Sequence, residues 1–214
     1  MSAHPVATVA GTPIPETEVD AREARLRSGP RAAALPASGT SEGRQLRRWL
    51  TQLIVTERVV AAEAAARGLT AVTAMTTMTS AAVPAESELL PDVTARLEIG
   101  SVAAAALADP RARALFADVT AAIQVSDDDV ADYHARNPLR FAAPSPGRHG
   151  WRVPAVVGPP LEQVRPAVTE HLRAAARRRA FRVWLDERRV ELVQLAPGYE
   201  HPGDPRQPDN VHRH

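Results

Sequence analysis

The chain has 214 residues, 44% hydrophobic and 4% aromatic, so a core must rest on Leu, Val, Ile and Ala, in one large domain or two small ones. A formal net charge of +1 argues against capture of nucleic acid, which needs a basic surplus on one face. With no cysteine there is no disulfide, thiolate nucleophile or Cys-bound zinc, and with all 26 basic residues arginine there is no Schiff-base or lysine general-base chemistry.

The opening, "PVATVAGTPIP", reads as a short strand through Val6 and Val9, a turn at Gly11 and a return through Ile14. "ETEVDAREARLRSG" follows as a helix with acids in its first turn and Gly29 past its end. Residues 29–43, rich in Ala, Gly, Pro and Ser, read as a flexible loop. Next comes the clearest helix, "RQLRRWLTQLIVTERVVAAEAAARG". Leu46, Trp49, Leu50, Leu53, Ile54, Glu57, Val60, Ala61 and Ala64 recur on it at three- and four-residue steps, all but Glu57 apolar, predicting one buried stripe, with Gly68 as its C-terminal stop.

Residues 69–84 turn Thr-, Met- and Ala-rich without a firm period. Helices are expected over 86–99, 101–107 and 110–122, the last opening on Asp109-Pro110 as cap and first turn. In "VSDDDVADYHARN", Ser126 and Asp129 make a capping box ahead of another helix. Residues 137–160 are Pro-rich and read as a linker or irregular arm. A long helix is expected over 161–189, burying Val164, Val168, Leu172, Ala175, Ala176, Phe181, Trp184 and Leu185. "VELVQL" (190–195) alternates as a final strand. Two lone strands at opposite ends are most economically paired with each other, since even an isolated hairpin is marginal in water. The expected fold is mainly α, with a small β-ribbon joining the N- and C-terminal strands.

The order of these blocks resembles the non-catalytic part of SurA- and PrsA-type parvulin chaperones. The likeness rests on "VATVAGTPIPETEVDAR", "LTQLIVTERVVAAEAAARGL", "VSDDDVADYHARNPLRF" and "LEQVRPAVTEHLRAAARRRAFRVWLDERRVELV". Together these blocks cover roughly half of the chain. The resemblance implies a SurA N-terminal-like helical domain over 1–196, with arm 137–160 where a parvulin domain would be inserted, and a separate Pro/His-rich tail over 197–214. Only nineteen residues lie between Phe141 and Leu161, too few for a parvulin domain, so prolyl-isomerase activity is not expected. "GRHGWRV" around His149 is readable as a remnant of the first parvulin strand. The opening residues lack a basic start and apolar run, and no segment approaches the roughly 20 apolar residues of a membrane span. A soluble cytoplasmic protein is the expectation, a departure from the extracytoplasmic family.

Candidate chemistry is sparse. "GTSEG" (39–43) matches G-x-S-x-G literally, but Ser41 is preceded by a Pro/Ala loop rather than the strand a nucleophile elbow needs. The arginines of "RAAARRRAFRVWLDERR" alternate with acids and read as a solvated helix face with intrahelical ion pairs. His134 beside Tyr133 has no paired acid that sequence can name. In the tail "EHPGDPRQPDNVHRH", His212 and His214 fall on one side of an extended chain. His201, Asp204 or Asp209 can complete a nitrogen and oxygen set for zinc or another divalent metal, although the spacing follows no established motif.

Two readings follow. In the first, the chain is a non-catalytic, chaperone-like module holding a client peptide, partner protein or apolar ligand. Its groove would run among Trp49, Leu53, Met75, Met78, Trp151, Phe181 and Trp184. In the alternative, a small enzyme or accessory factor uses the tail histidines as a metal or acid–base site. Neither reading involves nucleic acid or a membrane.

Overall fold

The computed structural model describes residues 5–69, 83–142, 145–146, 152–153 and 158–200. Strand β1 (Pro5–Val9) turns through Ala10 and Gly11, at φ of 48° and 78°, into β2 (Thr12–Pro15). Positive φ at both central residues matches the twist of the flanking strands, and glycine adopts it at no steric cost. Strand β5 (Val193–Leu195) runs antiparallel to β1, with Ala7 opposite Leu195 and Val9 opposite Val193. The sheet order β2–β1–β5 therefore joins the N- and C-terminal strands, as expected.

Helix α1 (Glu16–Arg27) leaves β2 directly, with acids in its first turn and arginines in its last. The loop expected to be flexible contains a 3-10 turn (Ala32–Ala34), and Arg27 Nη2 donates to the Pro36 carbonyl at 3.0 Å. Helix α2 (Ser41–Ala66) starts at Thr40, whose hydroxyl accepts from Gly43 N at 3.0 Å. It stops at Gly68, φ 69°, where Leu69 N bonds Ala64 O and Gly68 N bonds Ala65 O. These paired bonds satisfy carbonyls that the helix end would leave unmet.

Helix α2 carries more than the expected single stripe. Residues 50–56 are buried without interruption, polar Thr51, Gln52 and Thr56 included. Periodicity hid this because a helix enclosed on every side still needs polar groups where partners reach in.

Beyond α2, Pro91 splits the helix expected over 86–99 into α3 (Glu86–Leu89) and α4 (Val93–Ile99). Leu90, ahead of the proline, takes φ −127° and ψ 62°, outside the helical region. Next come α5 (Ser101–Ala106), α6 (Pro110–Val119) and α7 (Asp127–Arg136). The Asp109 cap and the Ser126–Asp129 capping box both form. Within the arm, β3 (Ser145–Pro146) and β4 (Arg152–Val153) make a two-residue antiparallel pairing.

Helix α8 (Leu161–Leu192) is longer than expected, and only 193–195 of the predicted final strand is extended. Six alternating residues fit a helix face as readily as a strand. The helix ends where its last carbonyl, Leu192 O, accepts from Ala10 N at 2.9 Å in the hairpin turn. One stripe of α8 serves two apolar clusters. Phe181 and Leu185 join the main core with β1, β2, α2 and the α3–α6 region, where Phe116 and Phe181 pack ring to ring at 5.1 Å. Val164 and Val168 form a smaller cluster with Val130 of α7, flanked by Val125, Tyr133, Phe141, Leu161 and Leu172.

Candidate functional site

The C-terminal segment is held to the body before its histidines begin. Ala196 N donates to Val6 O at 3.0 Å, and buried Gln52 Nε2 donates to Tyr199 O at 2.8 Å. The Tyr199 hydroxyl donates to Glu16 at 3.2 Å, and its pKa is raised by burial and then by the neighbouring Glu16 charge. Arg189 completes the junction, donating to Thr56 Oγ1 at 2.6 Å and to Gln52 Oε1. Sequence inspection missed Gln52 and Arg189. The signal for Gln52 was a large amide in a helical run otherwise of Leu, Ile, Val and Thr. His201, His212, His214, Asp204 and Asp209 lie outside the described residues. Among the described residues, no three His, Cys, Asp or Glu side chains come together as a metal site.

Of the expected groove residues, Met75, Met78 and Trp151 also lie outside the described residues. Leu53 and Phe181 are buried, Phe181 to 1% exposure within the main core. Trp184 is half-buried, stacked on Phe181 at 5.5 Å with the Arg67 guanidinium 5.2 Å over its ring. Trp49 is half-buried and donates through Nε1 to Ser101 Oγ at 3.2 Å. These four residues tie α2, α5 and α8 together.

At the arm's base, the Tyr133 hydroxyl lies 3.1 Å from His171 Nε2, and Phe141 packs edge-on against the same imidazole at 5.8 Å. Burial, then the charge of Arg140, lowers the His171 pKa; Glu98 and Asp92 oppose this weakly. The shift favours the neutral imidazole, to which Tyr133 O–H can donate. His134 Nε2 donates to the Pro159 carbonyl at 2.9 Å, a structural bond with no carboxylate partner. A Cβ built on Gly158 would collide with Pro138 O, so both ends of the arm meet at this point. Near it, a cleft of about 220 Å³ between α7 and α8 is lined by Val125, Tyr133, Leu172 and Ala176 and by the polar Gln124, Asp129, Arg136 and Arg179.

Two further sequence candidates resolve into structure. Ser41 opens α2 with no strand before it, so "GTSEG" is a helix start rather than a nucleophile elbow. Within it, a Cβ on Gly43 would strike Ala37 O, which explains the glycine by close approach of the loop. Arginines of α8 pair within the helix as expected, Arg173 with Glu170 and Arg188 with Glu191, and others reach neighbouring elements. Arg178, 5% exposed, binds Glu98 at 2.7 Å and the Leu89 carbonyl, and Arg165 reaches Asp127 at 3.2 Å. A denser network joins α1 to α2, where Arg47 meets Glu16, Asp20 and Glu23. Burial works against the Glu23 carboxylate, but its bonds to Arg27 and Arg47 outweigh that and lower its pKa.

No described helix is long and apolar enough to cross a membrane. A family described as a family of unknown function (DUF7158) matches residues 5–42, the segment from β1 through α1 to the first residues of α2. No curated protein and no solved structure matches the chain.

Proposed function

We propose that the chain is a non-catalytic binding module of the SurA-like kind, holding an extended segment of a client peptide or partner protein. The observation that carries this reading is the meeting of the arm's two ends, through His134 with Pro159 and Gly158 against Pro138. A segment that leaves and returns at one point is where a domain can be inserted without disturbing the body. In the resembled chaperones, that is the place of the isomerase domain.

The α7–α8 cleft beside this point is the proposed contact. At about 220 Å³ it falls below the roughly 300–1,000 Å³ of small-molecule pockets, and suits side chains of an extended segment. Its apolar residues would bury a client's aliphatic groups while Gln124, Asp129, Arg136 and Arg179 meet its backbone and charged side chains. The test is suppression of aggregation of a chemically unfolded client by the intact protein. Ala176→Glu places a charge on the half-buried cleft floor without entering either apolar cluster, and is expected to abolish the suppression while leaving the melting temperature nearly unchanged. Equal suppression by Ala176→Glu, or none by the intact protein, would rule the reading out.

A further inference from the structure

A second cavity, of about 360 Å³, opens among α2, the α4–α5 junction and the C-terminal half of α8. Ile99, Val102 and Leu185 supply an apolar wall, and Arg182, Arg189 and Asp186 supply the charges. The bonds of Arg189 in this structure go to neutral acceptors, Thr56 Oγ1 and Gln52 Oε1. Among the described residues, no carboxylate lies within ion-pair distance of it. Half-buried guanidinium groups normally meet a carboxylate, because removing the charge from water is costly unless it is paired. Burial accordingly lowers the Arg189 pKa, with only Asp186 opposing. Among the described residues, Arg182 is likewise bound only to a backbone carbonyl, Glu98 O, at 3.3 Å. Ser101 Oγ accepts from Trp49, so its own hydroxyl proton is available to a guest.

We infer that this cavity binds a small carboxylic acid with an apolar body, its carboxylate held by Arg189 and Arg182 and its body against Ile99, Val102 and Leu185. The volume sits at the small end of the range for ligand pockets, about 300–1,000 Å³. Two arginines and one aspartate leave a surplus of one positive charge. That matches a monoanion better than a phosphate group, which carries about −1.5 to −2 at neutral pH. The planar guanidinium fork suits a carboxylate's two oxygens. The inference is independent of the client-binding reading, since the cavity lies away from the α7–α8 cleft and shares no lining residue with it.

Isothermal titration calorimetry on the intact protein tests it, with N-acetylleucine, the uncharged N-acetylleucinamide and inorganic phosphate as probes. Saturable binding of N-acetylleucine is expected, with no binding of the amide and weaker binding of phosphate. Arg182→Gln and Arg189→Gln should each weaken N-acetylleucine by about tenfold or more, the usual loss for a hydrogen bond to a charged group. Arg189 also braces Gln52 and Thr56, so Arg189→Gln can fail to fold. Arg182, exposed and, among the described residues, bonded only to a backbone carbonyl, then carries the test. No saturable heat with N-acetylleucine would overturn the assignment. So would equal affinity for the amide or phosphate, or an unchanged affinity in Arg182→Gln.

Discussion

Gly43 shows how one residue can be misread for chemistry and then explained by packing. As the last letter of a literal G-x-S-x-G match it could be taken for part of a nucleophile elbow, a reading the Pro/Ala loop before Ser41 already opposes. In the fold it is the third residue of α2, with its N–H on the Thr40 hydroxyl and the Ala37 carbonyl lying where a Cβ would be. Gly43→Ala gains about 1 kcal/mol of helix propensity. It loses about 1–3 kcal/mol to overpacking, and the opposing atom is backbone, which yields less readily than a side chain. The loss should win, so the urea midpoint of Gly43→Ala is expected to fall. An unchanged or raised midpoint would mean that the 37–43 loop moves aside freely.

At the scale of elements, the α7–α8 pair has a titratable centre. The folded state lowers the His171 pKa below its ordinary 6.5, chiefly through burial. An unfolded chain therefore takes up this proton first as pH falls. The contribution of His171 to stability is complete above the unfolded pKa, and is lost as pH drops from there toward the folded value. Melting temperatures at pH 7 and pH 5 should differ more for the native protein than for His171→Gln, and an identical pH response in both would remove the claim.

Helices α6 and α7 were legible in the sequence through their caps, α1 through its charged ends and α8 through its apolar steps. The break at Pro91 was legible in principle, as a proline without a helical N–H. The final strand was legible but its start at Val193 was not, since that depends on a bond between Leu192 and Ala10 that no local pattern announces. The Arg189 cavity was equally hidden. It depends on which arginines of an Arg-rich helix lack acidic partners, and that is a property of the assembled helices rather than of spacing.

For the whole molecule, the C-terminal segment is part of the frame. A chain ending at Leu192 loses β5, the Ala196–Val6 bond and the Tyr199 carbonyl that satisfies buried Gln52. Leaving one buried donor unmet costs about 1–3 kcal/mol, and the hairpin left behind is marginal without its third strand. That truncation should lower unfolding free energy by about 3 kcal/mol or more, whereas a chain ending at Glu200 keeps every one of these contacts. A truncation at Leu192 as stable as the full chain would contradict the frame. The pairing of β1 with β5 also sets an order of events during synthesis. Val6, Val9 and Ile14 leave the ribosome long before the strand that completes their sheet. Contacts so distant in sequence form late and slowly, because the loop between them must close first. A nascent chain paused before residue 193 would expose an unpaired, Val-rich strand edge, the kind of surface that recruits other unfolded chains.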